Sequence, residues 1–180
     1  MEKKEWDATR KYEVTFDQLI ENHLILMKYL KDNYGEDAIK NYYKIRNEMS
    51  FATRIGKAIK IGAKVLKTLS SQKFFNIFLN QFVNSSQYMI PLKCVAGIDR
   101  EPKRAVIHIE NCQTKRVFRR SIRKFKLKDE IPVTAFCEFD CIPTFQLYGA
   151  IGNIQVSADF KEKGCDILAD ISKEIKSTSD

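Results

Sequence analysis

Four cysteines and one aspartate are the residues of this chain whose types and spacing could do chemistry. They are Cys112, Cys137, Asp140, Cys141 and Cys165, and Phe136 adjoins them. A cysteine becomes a nucleophile when a nearby cation or base favours its thiolate. The aspartate could orient a water molecule or a substrate amine. If the protein has a pocket with chemistry in it, we therefore expect these residues to line it.

Three interpretations of the cysteines are open. Buried cysteine behaves as a small hydrophobic residue, so the first gives them a packing role. The second is a reactive thiol, because Arg116 lies one helical turn beyond Cys112 and a helix start beside it would favour a thiolate. The third is a four-cysteine zinc site, although Cys137 and Cys141 are spaced C-x3-C rather than C-x2-C. We expect no metal and no cofactor.

The charge of the chain indicates an acidic partner. With 180 residues, the sequence fits one domain that buries about 70% of its unfolded surface. A formal net charge of +8 favours nucleic acid, an anionic membrane surface or an acidic protein. No helix-turn-helix, zinc-finger or RNA-recognition pattern is present, so sequence-specific nucleic-acid binding is not expected.

The sequence predicts a cytoplasmic setting. It contains no run of about 18 apolar residues that could span a membrane. Its start, MEKKEWDATRKYE, lacks the apolar region of a secretory signal. An odd number of cysteines, five, then indicates a reduced environment rather than a disulfide framework. Peripheral attachment to a membrane is compatible with this setting.

Helical periodicity predicts four helices in the first half of the chain. Residues 1–14 are predicted to be a flexible arm, and the segment 15–18, TFDQ, a capping box that starts the first helix. Gly35 ends this helix, and Glu36 opens the second. The predicted buried side of the second helix consists of Ala38, Ile39, Tyr42, Tyr43, Ile45 and Met49. His23 lies on an apolar face, which favours a hydrogen-bonded core histidine.

The third predicted helix, residues 51–69, has a basic face. Its cations recur at steps of three and four residues, which places them on one side. They are Arg54, Lys57, Lys60, Lys64 and Lys67. Such a helix can lie on anionic lipid or an acidic partner, or can be the exposed face of a packed helix. A second basic segment, 115–128, adds Arg119, Arg120 and Arg123 to the predicted anion-binding surface.

Beyond residue 85 the apolar period changes from helical to alternating. Two strand pairs are predicted, 88–98 with 105–109 and 154–160 with 165–171. Helices over 114–128 and 133–148, the latter kinked at Pro143, lie between the pairs. The order αααα-ββ-αα-ββ predicts an α+β domain over residues 15–172, in which an antiparallel sheet of about four strands has helices on one face. Residues 173–180 are predicted to be a flexible tail.

Three segments in this order resemble the L-2-amino-thiazoline-4-carboxylic acid hydrolase-like family. Residues 111–118, NCQTKRVF, follow a strand and open a helix, as a Cys-Pro segment does in that family. Residues 136–140, FCEFD, resemble its Cys-x-x-Asp segment, and residues 163–167, KGCDI, resemble its Gly-rich hairpin leading into a Cys-Asp-Phe strand. The outline is also similar to the 4-vinyl-reductase domain and to transport-particle subunits of vesicle tethering. The resemblance covers about residues 105–172. It implies a pocket in which Cys112, Cys137, Asp140 and Cys165 meet, so we expect the three cysteines to lie close together.

The resemblance implies two functions. The first is a ligand-binding or interaction module, with an apolar cavity for a small apolar or other small-molecule ligand and basic faces that dock an anionic membrane or an acidic protein. The same analogy suggests a two-fold homodimer. The alternative is a small hydrolase that opens a cyclic C–N bond with Cys112, Cys137 and Asp140. Gln113 stands where the family usually has proline, and this departure in a catalytic-looking segment favours the first function.

Overall fold

The computed structural model of the chain describes residues 7–54, 71–85, 87 and 90–171. The predicted basic stripe lies largely outside these ranges, because Lys57, Lys60, Lys64, Lys67 and the side chain of Arg54 are not among the described parts. The predicted tail, residues 173–180, also lies outside them.

The described elements follow the predicted order of helices, two strands, helices and two strands. They are α1 (Ala8–Tyr34), α2 (Glu36–Arg54), α3 (Ser71–Ser85), β1 (Val95–Arg100), β2 (Arg104–Ile109), α4 (Gln113–Lys124), α5 (Ile142–Ala150), β3 (Gln155–Phe160) and β4 (Cys165–Asp170). A 3-10 turn, Leu92–Cys94, precedes β1, and a π-helical turn, Cys137–Cys141, precedes α5. The protein therefore has the predicted α+β fold with a four-stranded antiparallel sheet.

Helix α1 begins two turns earlier than the sequence predicts. Asp7 is its N-cap and accepts a hydrogen bond from the Arg10 N–H at 2.8 Å. Residues 8–14 of the predicted flexible arm are thus helical, and the TFDQ segment lies inside the helix. Exposed polar side chains before Thr15 hide these turns, because they carry no apolar period. At the other end Gly35 has a φ of 82°, which favours glycine.

The sheet has the order β1-β2-β4-β3, which places β2 and β4 in the centre. Ile107 pairs with Ile167, and Ile109 pairs with Cys165. Alternate residues of the two central strands are buried on one face: Ala105, Ile107, Ile109, Cys165, Ile167 and Ala169. β1 lies at one edge of the sheet, and a bulge lies between Val95 and Gly97.

Pro143 accounts for the π turn. Proline has no N–H, so the carbonyl of Phe139 lacks its helical donor. The side-chain amide of Asn47 on α2 donates to that carbonyl at 3.2 Å. The helix widens just before the proline, where the Ile142 N–H bonds the carbonyl of Cys137. The predicted irregularity is therefore one wide turn, and it presents Asp140 to α2.

The outer face of the sheet carries an ion-pair cluster around His108. Nδ1 of His108 lies 2.9 Å from Asp166 on β4, and Nε2 lies 3.0 Å from Asp99 on β1. Lys161 pairs with Asp166 at 2.6 Å. Alternation along β2 predicts His108 on the face opposite Ile107, and this is confirmed.

This cluster predicts a pH optimum of stability. Hydrogen bonds to Asp99 and Asp166 raise the pKa of His108 above 6.5. The contribution of His108 to stability is therefore complete below pH 6.5 and is lost as the pH rises. Hydrogen bonds from Lys161 and His108 lower the pKa of Asp166, so its contribution is lost on acidification. We expect His108→Gln to flatten the fall in Tm between about pH 6 and 8 in circular dichroism melts. An unchanged fall would contradict this.

Candidate functional site

The structure brings the four predicted cysteines together at the inner side of the sheet. Cys112 precedes α4, Cys137 and Cys141 lie on the π turn, and Cys165 begins β4. All four are buried and none forms a disulfide. Cys137 is close enough to Cys112 and Cys165 for their charges to affect its ionisation. The predicted proximity of these three thiols is therefore seen.

Burial controls the chemistry of the thiols. It raises the pKa of Cys137 and of Cys165 to about 12 and raises that of Cys141 well above the usual value. Burial also raises the pKa of Cys112, although the Lys115 and Thr114 backbone N–H groups at the start of α4 act in the opposite direction. The thiols are consequently protonated at neutral pH.

The cation next to the thiols is Lys115, whereas the sequence predicted Arg116. Lys115 is buried, and its ammonium donates to the carbonyls of Lys161 and, at 3.1 Å, of Gly164. It also lies 5.9 Å from the ring centre of Phe160. Lys115 thus ties the β3–β4 hairpin to α4. Arg116 is exposed.

Two further findings concern metal and membrane. Within the described ranges, no group of three or more histidine, cysteine, aspartate or glutamate residues is arranged to hold a metal ion. No helix in the same ranges is long and apolar enough to cross a membrane.

Asp140 lines a space different from the thiol cluster. A cavity of about 70 Å³ lies among α1, α2, the start of α4 and the π turn with α5. Its lining is part aromatic and part polar: Phe16, His23, Arg46, Asn47, Ser50, Phe51, Thr114, Phe136, Asp140, Thr144 and Tyr148, with Leu19 and Ile20. Of the predicted site residues, Phe136 and Asp140 line this cavity and the cysteines do not.

An ion pair with Arg46 holds the buried Asp140 carboxylate. Nη1 of Arg46 donates to Asp140 and lies 3.3 Å from the side-chain oxygen of Asn47. The amide nitrogen of Asn47 in turn reaches the carbonyls of Phe139 and Asp140, at 3.2 and 3.5 Å. The guanidinium also lies 5.8 Å from the ring centre of Tyr43. A polar network therefore joins α2 to the π turn.

A neutral histidine lies in the same cavity wall. Nδ1 of His23 is 2.7 Å from the Tyr43 hydroxyl, and the predicted core histidine with a hydrogen-bond partner is confirmed. Burial and then the charge of Arg46 lower the pKa of His23 to about 4. Burial, followed by the charge of Asp140, raises the pKa of Tyr43. Both groups are therefore uncharged at neutral pH.

Sequence reasoning missed the polar residues of α2. Ile39 and Tyr43 are buried as predicted, but Tyr42, Ile45 and Met49 are exposed. Asn47 occupies the buried side in their place. The available signal was the four-residue spacing of Ile39, Tyr43 and Asn47, which continues one helical face.

A basic groove lies between α4 and the β3–β4 hairpin. It has a volume of about 420 Å³ and is lined by Asn111, Lys115, Arg116, Arg119, Arg120, Arg123, Glu162 and Lys163. Arg119 donates to the carbonyl of Glu162, and Arg120 pairs with Asp17 at 2.5 Å. Arg116, Arg123 and Lys163 form no ion pair with any described residue.

The groove contains three of the residues predicted to bind an anionic surface. Arg119, Arg120 and Arg123 line it, and the sequence prediction omitted Arg116 and Lys163 from that surface. The exposed side of α4 is thus basic while its other side is packed in the core, where Val117, Phe118 and Ile122 are buried.

Fold and site together define an α+β protein with a small, partly polar cavity among its helices and a basic groove beside its sheet. Comparisons with protein-family models, with curated proteins and with solved structures give no match for this chain. Its function must therefore be inferred from the geometry of the cavity and the groove.

Proposed function

We propose that this protein is an interaction module that binds an acidic segment of a protein partner in the groove between α4 and the β3–β4 hairpin. The observation that supports this proposal is the charge of the groove. Among the described residues, six cations and a single carboxylate, that of Glu162, line it. Such an excess of one sign attracts a partner of the opposite sign and accelerates its association.

The arrangement of the arginines suits a run of carboxylates. Arg116, Arg119 and Arg123 recur at helical spacing, and the first and last are about 10 Å apart along the axis. Two residues of an extended chain span about 7 Å, so alternate acidic side chains can reach successive arginines. Guanidinium groups bind carboxylates through two parallel hydrogen bonds, which favours arginine over lysine at such a site.

The concave shape favours a peptide segment over a membrane. A groove can enclose a chain on two sides, here α4 and the hairpin, whereas a lipid surface contacts a flat or convex face. We therefore assign the groove to an acidic protein segment, and membrane docking becomes an alternative outcome of the test.

The hydrolase alternative receives less support. A thiolate nucleophile requires a lowered thiol pKa, whereas burial raises that of Cys137 to about 12. Asp140, the proposed partner of Cys137, is occupied by Arg46 and lines a cavity to which no described thiol contributes.

Charge reversal in the groove should weaken binding of an acidic peptide. Arg116→Glu with Arg123→Glu replaces two unpaired cations, so we expect the Kd of a fluorescein-labelled octaglutamate to rise about tenfold or more at low salt. Fluorescence anisotropy measures this Kd. Added salt should weaken the wild-type complex, because ions screen exposed charges.

A matched control distinguishes the effect of charges in the groove from the effect of the net charge of the protein. Lys93→Glu with Lys128→Glu changes the net charge by the same amount at exposed positions outside the groove. We expect this control to change the Kd by less than about twofold. An equal loss in both variants would disprove the groove as the binding site. Binding to phosphatidylserine vesicles without binding to the peptide would replace the proposal with membrane docking.

A further inference from the structure

We infer that the cavity among α1, α2, α4 and the π turn is a binding site for a small monocarboxylate, with Arg46 and His23 as its hydrogen-bond donors. The inference does not rest on the proposed function, since the cavity shares no lining residue with the basic groove.

Arg46 supplies the charge for this site. Its two hydrogen bonds, to Asp140 and Asn47, both use Nη1. Nε and Nη2 have no partner among the described residues, although Arg46 lines the cavity. The side chain is 36% exposed, whereas the Asp140 side chain is 5% exposed. Asp140 therefore fixes the guanidinium from the buried side and leaves its other edge available for a ligand.

His23 supplies a second donor. The Tyr43 hydroxyl is fully buried, and His23 is its only partner among the described residues. We therefore infer that the Tyr43 O–H donates to Nδ1 of His23, because a buried hydroxyl needs an acceptor. A neutral imidazole then carries its own proton on Nε2. Nε2 has no described partner, so this N–H is free to donate within the cavity that His23 lines.

Size and charge select the ligand class. Two donors, one of them cationic, match a group with only acceptors, such as a carboxylate. The cavity, about 70 Å³, is smaller than the roughly 300 Å³ of drug-sized sites, so the ligand has few atoms. Asp140 already balances Arg46, which disfavours a dianion such as phosphate. The aromatic rings of Phe16 and Phe136 provide an apolar wall for a short alkyl group.

An NMR titration tests this site with propionate as the probe. Backbone ¹H–¹⁵N spectra of the wild-type protein are recorded with sodium propionate, propionamide or inorganic phosphate at constant ionic strength. We expect saturable shifts at residues around the cavity with propionate, and at least tenfold weaker effects with the other two. Comparable binding of propionamide or phosphate would overturn the assignment of a carboxylate, and the absence of saturable shifts would overturn the site.

Two variants locate the effect. Arg46→Lys keeps the charge but loses the planar fork, and Ser50→Phe fills the cavity from α2 without removing either donor. Each should weaken propionate binding about tenfold or more. The groove variant, Arg116→Glu with Arg123→Glu, should leave it unchanged. If Arg46→Lys does not fold, Ser50→Phe decides the question. Unchanged binding in Ser50→Phe, or loss in the groove variant, would refute the cavity site.

Discussion

Replacing Gly164 by alanine is expected to lower the free energy of unfolding by about 3 kcal/mol or more. A Cβ at this position would lie 1.9 Å from the carbonyl oxygen of Ile109 and 2.9 Å from its carbonyl carbon. These are backbone atoms of β2, so the clash cannot be relieved by turning a side chain. Urea unfolding followed by circular dichroism measures the loss.

Gly97→Ala is the matched control for this substitution. Gly97 lies on β1, and an added Cβ there would meet no atom within 4 Å. Alanine also reduces the conformational freedom of the unfolded chain, so we expect stability to be unchanged or to rise by about 0.5 kcal/mol. Equal unfolding midpoints for the two variants would show that the close approach of Gly164 to β2 does not constrain the protein.

The effect of Gly164→Ala should extend to the groove. The carbonyl of Gly164 accepts a hydrogen bond from Lys115, and the carbonyl of Lys163 accepts the Cys112 N–H at 2.9 Å. Both contacts fix the hairpin on the start of α4. A backbone shift at Gly164 moves this wall, so we expect peptide binding to weaken even where the variant remains folded.

Local pattern predicted the sheet and the hairpin well. Alternation along β2 and β4 assigns each residue to a face, because side chains of a strand point alternately to its two sides. That rule placed Ile107 in the core and His108 outside it. It also puts Cys165 on the same buried face of β4 as Ile167 and Ala169. The face on which a strand residue lies depends on its neighbours in the sequence, so it can be predicted from local pattern.

The cavity could not be predicted, because it is assembled from distant segments. Arg46 and Asp140 are 94 residues apart in the chain. An apolar period also assigned the buried side of α2 to Ile45 and Met49, whereas tertiary contacts bury Asn47 instead. The buried Asn47 amide donates to the Phe139 carbonyl, which Pro143 leaves without a helical donor. This hydrogen bond joins α2 to the π turn, so no local sequence pattern indicates it.

Cys137 and Cys165 are expected to react with iodoacetamide at least about a thousandfold more slowly in the native protein than in the unfolded chain. Only the thiolate is alkylated, and burial raises the pKa of both thiols from 9.0 to about 12. Each pKa unit lowers the thiolate fraction about tenfold at neutral pH. Mass spectrometry after timed labelling, with and without urea, gives the two rates.

The same shifts predict loss of stability in alkali. A thiol whose folded pKa is raised contributes stability that is complete below its unfolded pKa, 9.0, and is lost as the pH rises towards about 12. Cys137→Ala removes this dependence at one site, although it also leaves a small cavity. We expect its free energy of unfolding to fall less between about pH 8 and 10 than that of the wild type. A parallel fall would contradict the raised pKa.

A cysteine placed on the surface calibrates the labelling. Ser157 is exposed on β3, so the thiol of Ser157→Cys should react in the folded protein at the rate of the unfolded chain. Fast labelling of Cys137 or Cys112 under the same conditions would show that a thiolate forms in the native state. Such a thiolate could act as the nucleophile that the hydrolase hypothesis requires. Slow labelling would support a packing role for the thiols behind the hairpin. The exposed arginines of α4 would then be the groups available to a partner.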